Sequence, residues 1–180
     1  MQKYHKKKTV IRSIRLNEDD DLLLQREAQM RGLSYNSLVN LILKKFIEWD
    51  RFAERLGMVS ITRDGFQIIH ESIRDELFNK IAEDMGSRNP KDMTRFWFKE
   101  FNLNNFLNFL SLYCKYGRLA ECEIKKEENE YYLTFQHAYG EKYSKFLSIW
   151  LKSAFKNALN IVPKIEVSKN SVSINFKINL

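Results

Sequence analysis

At Thr9 a polar, basic arm gives way to the run Thr-Val-Ile-Arg-Ser-Ile-Arg-Leu, whose β-branched residues and near alternation predict a strand over residues 9–16. The period then changes. Asn17 is a good helix N-cap, Asp20 stands where it can return a capping-box-like bond, and Asp19, Asp20 and Asp21 suit the positive end of a helix dipole. Leu24 and Ala28 share a face of this first helix, and Gly32 supplies the left-handed residue that stops it. Ser34 opens a longer helix, expected from Tyr35 to about Leu56. In it Tyr35, Val39, Ile42, Phe46, Trp49, Ala53 and Leu56 keep 4-3-4-3-4-3 spacing along one apolar seam.

Beyond Gly57 the pattern predicts a short strand over 58–61, a helix capped by Thr62 and running through Ile73, and another capped by Asp75. That helix turns Leu77, Phe78, Ile81, Ala82 and Met85 inward and ends at Gly86, before a polar turn over 87–91. A helix over 103–116 follows the aromatic run Phe96-Trp97-Phe98. Two alternating strands come next, with Ala120, Cys122 and Ile124 on one face, Leu133 and Phe135 on the other strand, and a hairpin loop at 127–129. A helix over 140–159 and strands over 164–167 and 172–178 complete the chain. The order αββαββ is a circular shift of the ferredoxin-like βαββαβ order, so residues 57–180 are expected to form an α+β two-layer domain on an antiparallel sheet. Residues 1–56 form a separate, smaller one.

Charge sharpens the picture at one end only. The first sixteen residues hold six of the 30 Lys and Arg, namely Lys3, Lys6, Lys7, Lys8, Arg12 and Arg15, and none of the 23 Asp and Glu. The remainder is close to neutral. No apolar run approaches a membrane span, and no apolar stretch follows the basic arm as a secretory signal requires, so a cytoplasmic protein without membrane association is expected. Cys114 and Cys122 lack metal-motif spacing and read as reduced, partly buried thiols.

The strand over 9–16 has no partner in reach, since two helices separate it from residues 58–61. A second copy resolves this: two such strands pair antiparallel across a two-fold axis above interlocked helices. Here the chain resembles the ribbon-helix-helix family of DNA-binding proteins, of the Arc and MetJ type, over about residues 8–48. The resemblance rests on Ser13-Ile14-Arg15-Leu16-Asn17, on Gly32 fifteen residues after Asn17, and on Leu33-Ser34-Tyr35-Asn36-Ser37-Leu38 opening the second helix. It implies a sequence-specific transcriptional regulator, a repressor or an activator, that lays paired strands in the major groove. With Ile14 and Leu16 turned inward, Ile11, Ser13 and Arg15 face the bases, and Arg15 can bond two acceptors on a guanine. Lys6, Lys7, Lys8 and Arg12 reach phosphates, and Ser34, Tyr35 and Asn36 stand at the family's phosphate-clamp positions. The chain departs from the family where Arg12 shares the parity of Ile14 and where Asp20, Asp21 and Glu27 replace usually apolar residues. The first helix is then expected to pack by Leu23, Leu24 and Ala28.

The remaining residues are too many and too apolar for the short tail of an antitoxin. They read as an effector-sensing or oligomerisation domain. Nickel-responsive regulators share that plan, but their histidine-rich ligand pattern is missing, and no metal or other cofactor is expected. The segment from His137 to Gly140 joins a strand end to a helix start, which makes His137 and Gly140 the candidate ligand residues for a small-molecule effector. No phosphate-cradling glycine loop, nucleophile elbow or metal-hydrolase histidine pair is present, and no catalysis is expected. The expected partners are double-stranded DNA and the chain itself, as a homodimer or a tetramer. The competing reading is a homo-oligomeric assembly protein that does not bind DNA.

Overall fold

The computed structural model describes residues 9–178 and divides the chain into two compact units between Ile47 and Glu48. In the first unit, α1 (Glu18–Met30) starts where Asn17 Oδ1 accepts the Asp20 amide at 2.8 Å and Asn17 Nδ2 donates back to Asp20 Oδ2. It ends in a Schellman turn: Gly32 sits at φ +63°, its amide donates to Gln29, and the Leu33 amide donates to Ala28. Ser34 Oγ then accepts the Ser37 amide at 3.2 Å and starts α2 (Tyr35–Lys45). Of the described apolar residues in this unit only Ala28 and Leu38 are buried. Leu24 is half-buried, whereas Leu23, expected to pack with it, lies exposed.

Residues 9–17 precede these helices in an irregular, exposed conformation, not the predicted strand. The reason is physical: a strand exists only where its amides and carbonyls meet a neighbour's, and the described residues offer 9–16 none. The predicted strand over 58–61 is likewise absent, for the same reason. The long second helix is interrupted. A π-helical turn over Phe46–Asp50 separates α2 from α3 (Arg51–Ala53), and a second Schellman turn at Gly57 closes the run. An extra residue in the turn breaks the 4-3 seam. Trp49 is buried, but Ile42 and Phe46 are exposed.

The second unit is α+β. Its helices are α4 (Arg63–Ser72), α5 (Asp75–Phe98), α6 (Leu103–Gly117) and α7 (Gly140–Leu159). They pack with an antiparallel sheet of β1 (Glu121–Glu127), β2 (Glu130–Gln136), β3 (Lys164–Ser168) and β4 (Ser171–Lys177) in the order β1-β2-β4-β3. The connectivity α6-β1-β2-α7-β3-β4 in that strand order is a ferredoxin-like unit whose first strand has moved to the chain end. Tyr131, Leu133 and Phe135 of β2 and Val172, Ile174 and Phe176 of β4 pack inward against Tyr143, Leu147, Leu151, Ala154 and Phe155 of α7. The opposite sheet face is polar. The edge strands are charged along it: Glu121, Glu123, Lys125 and Glu127 on β1, Lys164 and Glu166 on β3.

α5 does not stop at Gly86. It continues through the predicted polar turn and through Pro90 to Phe98, because Phe78, Ala82, Gly86, Pro90, Thr94 and Trp97 form one buried stripe at spacings of four, then three. Leu77 and Met85, expected inside, lie on the exposed side. Gly86 ends nothing; it lets α5 approach α7. A Cβ there would lie 2.9 Å from Ser153 Cβ and closer still to the Trp150 carbonyl oxygen. The N-cap of α5 is Arg74 rather than Asp75, whose carboxylate instead pairs with Lys142 Nζ at 3.1 Å. A second cluster joins Trp49, Phe52, Trp97 and Phe109, and Trp97 Nε1 donates to the Glu48 carbonyl at 2.9 Å.

Candidate functional site

The residues expected to read bases lie together on the extended segment before α1. Ile11 (93% exposed), Ser13 and Arg15 are open to solvent, as are Val10, Ile14 (64% exposed) and Leu16. Arg12 Nη1 donates to the carbonyl of Ile11 at 3.1 Å, which keeps that guanidinium beside its own backbone. Lys6, Lys7 and Lys8 lie outside the described residues.

The second group gathers at the start of α2. Ser34 is occupied as the cap, and its hydroxyl also shares a hydrogen bond with Ser37 Oγ at 2.8 Å. The amides of Tyr35 and Asn36, in the first helical turn, have no intrahelical acceptor. Asn36 is exposed and its side-chain amide has no partner among the described residues. Tyr35 is half-buried, and the Asp21 carboxylate raises its hydroxyl pKa, chiefly through the hydrogen bond between them. A phenol held by Asp21 remains a hydrogen-bond donor. The turn thus presents two backbone donors and a free carboxamide, the equipment an anionic oxygen needs.

In the second unit, His137 and Gly140 hold the end of β2 to the β3–β4 turn. The His137 amide donates to the Asn170 carbonyl at 3.0 Å, and the Gly140 amide donates to Asn170 Oδ1 at 3.1 Å. His137 Nδ1 accepts the Tyr139 amide at 3.2 Å, which places the ring proton on Nε2, 2.8 Å from Ser144 Oγ. Burial, then the nearby His70, lowers the His137 pKa and favours this neutral tautomer. The Gly140 amide is therefore already bonded, while His137 lines an open cleft of about 700 Å³ with Arg63, Lys115, Arg118, Cys114 and Cys122. Sequence spacing gave no reason to expect that cleft. It forms because the turn from α6 into β1 brings both cysteines to the end of β2. Hydrogen bonding with Cys122, then burial, pushes the Cys114 thiol up, the opposite of what a nucleophile or metal ligand requires. Among the described residues no group of three or more His, Cys, Asp or Glu is placed to hold a metal ion, and no helix is long and apolar enough to cross a membrane.

Comparisons with protein-family models, with curated proteins and with solved structures gave no match.

Proposed function

We propose that the chain is a DNA-binding transcriptional regulator of the ribbon-helix-helix type, which acts as a homodimer or a pair of dimers and carries an effector or oligomerisation domain. One observation carries the reading: the first unit is unfinished as a single copy. Two well-capped helices bury only Ala28 and Leu38, while Ile14, Leu16, Leu41, Ile42 and Phe46 remain exposed, and the irregular segment over 9–16 pairs with no strand among the described residues. A unit of this size has little core of its own, and oligomerisation is a common way for such small units to gain one. Each of those five side chains returns about 1–2 kcal/mol per copy on burial. A second copy supplies both missing elements, since residues 9–16 pair with their equivalents and the helices close beneath.

Pairing turns alternate residues to opposite faces. With Ile14 and Leu16 on the helices, Ser13 and Arg15 project together toward the groove, and Ile11 offers a contact to a thymine methyl. Arg12, released from its own backbone, and the start of α2 lie toward the phosphates.

Fluorescence anisotropy with a duplex from the DNA upstream of the chain's own reading frame, at two salt concentrations, tests this. Wild type is expected to bind and to weaken steeply with salt, and Arg15→Ala to lose about 1–3 kcal/mol of specific affinity. No binding to this or to random duplex at low salt overturns the proposal. A dimer in sedimentation equilibrium would then leave the assembly reading, which the same exposed apolar residues support.

A further inference from the structure

The second unit contains an opening that its packing does not explain. Between α4, α5, α6, α7 and the sheet lies an apolar chamber of about 220 Å³, walled by Phe66, Phe78, Tyr113, Phe135, Tyr143 and Trp150 among others. It opens partly to solvent past Met85, so a ligand can enter, and the apolar walls give water few partners there. A dry apolar cavity of about 150 Å³ already accommodates benzene. This one has room for one aromatic ring with a short side chain, and aromatic walls meet such a ring by edge and offset contacts.

The chamber is not uniformly apolar in what it offers. The hydroxyls of Tyr113 and Tyr143 form no hydrogen bond among the described residues. Beside it, His70 is 1% exposed and wedged among Phe66, Phe78, Tyr139 and Tyr143. Its Nδ1 is committed to the Phe66 carbonyl at 3.1 Å, and its Nε2 is a buried nitrogen without a partner.

Cys114, Leu119 and Ala120 line both this chamber and the larger cleft. The cleft carries three cations against one carboxylate, Glu121. Lys115 is engaged with Glu48 Oε2 at 3.3 Å, whereas the guanidinium groups of Arg63 and Arg118 form no ion pair or hydrogen bond among the described residues. An apolar chamber that adjoins two unpaired guanidinium groups fits a ligand with an apolar body and an anionic head.

We propose that the second unit binds an aromatic carboxylate, with the ring in the chamber and the carboxylate at Arg63 and Arg118. The guanidinium fork matches a carboxylate in two parallel hydrogen bonds. His137 plays no direct part, because its Nε2–H is held by Ser144. The inference deepens the effector half of the proposed function by giving the effector a chemical class, yet it concerns the second unit alone and stands whether or not the first binds DNA.

The test is a titration of the full chain, without DNA, with phenylacetate, phenylpropionate and phenylbutyrate and with the neutral amide of each, followed by calorimetry and by tryptophan fluorescence. Trp150 lines the chamber and reports its occupancy. At least one acid is expected to saturate the signal, with its amide roughly tenfold weaker. The double variant Arg63→Gln, Arg118→Gln, which alters two exposed side chains, is expected to bring the acid down to its amide, and Ala120→Leu to weaken both by filling the chamber. If none of the acids binds at millimolar concentration, if acid and amide bind alike, or if the double variant holds the acid as wild type does, the proposal falls. DNA affinity is measured separately, so failure of either reading leaves the other standing. Repeating the anisotropy titration with saturating acid then shows whether occupancy regulates DNA binding.

Discussion

Replacing Gly86 with alanine separates two physical effects of opposite sign. In an isolated helix the change is favourable by about 1 kcal/mol, because alanine restricts the unfolded chain and shields the backbone. Here Gly86 lies in the middle of α5, buried where that helix meets α7. The new methyl would stand 2.9 Å from Ser153 Cβ and closer to the Trp150 carbonyl oxygen. Neither obstacle is the far end of a flexible side chain. The helices must therefore separate, and Ala82 and Ala154, both fully buried, lose contact with their surroundings. Overpacking of this kind costs about 1–3 kcal/mol, more where backbone is struck. The clash outweighs the propensity gain, and a net loss of about 2 kcal/mol is expected. Urea unfolding followed by tryptophan fluorescence reads this as a midpoint lower by about 1 M with an unchanged slope. Gly117→Ala is the control: it too replaces a helical glycine, the last residue of α6, but nothing lies within 4 Å of its added Cβ. It is expected to be neutral or stabilising by up to about 1 kcal/mol. A Gly86→Ala midpoint equal to or above wild type would refute the close-approach argument.

Lys142→Met removes an ammonium that donates to the Glu71 carbonyl at 3.1 Å and also to that of Ile73, and that pairs with Asp75; a loss of about 1–3 kcal/mol in urea is expected. Asp75→Asn, at the exposed end of the pair, is expected to cost under about 1 kcal/mol in the same assay. His137 has a folded pKa below its ordinary value of about 6.5, so as pH falls through that value the unfolded chain takes up the proton first. Stability from this group is therefore full above about pH 6.5 and declines on acidification until the folded state also protonates. His137→Asn should flatten that stretch of the stability–pH profile, and an unaltered slope would remove His137 from its cause. Ile14→Asp places a charge in the seam proposed between copies, and sedimentation equilibrium is expected to show dissociation; a dimer unchanged in affinity would move the interface elsewhere.

Local signals carried far where the chemistry is local. Asn17, Gly32, Ser34 and Thr62 act as caps and stops in the structure because each does its work within four residues. The span Gly140–Leu159 and both hairpins follow from period alone. Gly86 and Pro90 misled because their small or rigid shapes have two uses, breaking a helix and allowing another to approach, and only the partner α7 decides between them. The π turn at Phe46–Asp50 left no mark in the 4-3 spacing that it disrupts. In the first unit, Ile11, Ser13 and Arg15 are exposed together with Ile14 and Leu16, so alternation leaves no mark on residues 9–16 in a single copy, where no partner strand sets an inner face. Cys114 and Cys122 gave no hint of a shared cleft, because the end of α6 and the turn into β1 set their separation rather than a motif.

The polar outer face of the sheet has a consequence for how copies of this chain can meet. Both edge strands, β1 and β3, display charge along that face, so an approaching strand would have to strip water from ionic side chains before it could form a ladder. Residues 9–16 carry no acid and present Val10, Ile11, Ile14 and Leu16 beside open backbone. On the proposed pairing, strand addition among the described residues would run through that one short segment, and two copies that use it on each other would close as a finite pair instead of an open-ended fibre.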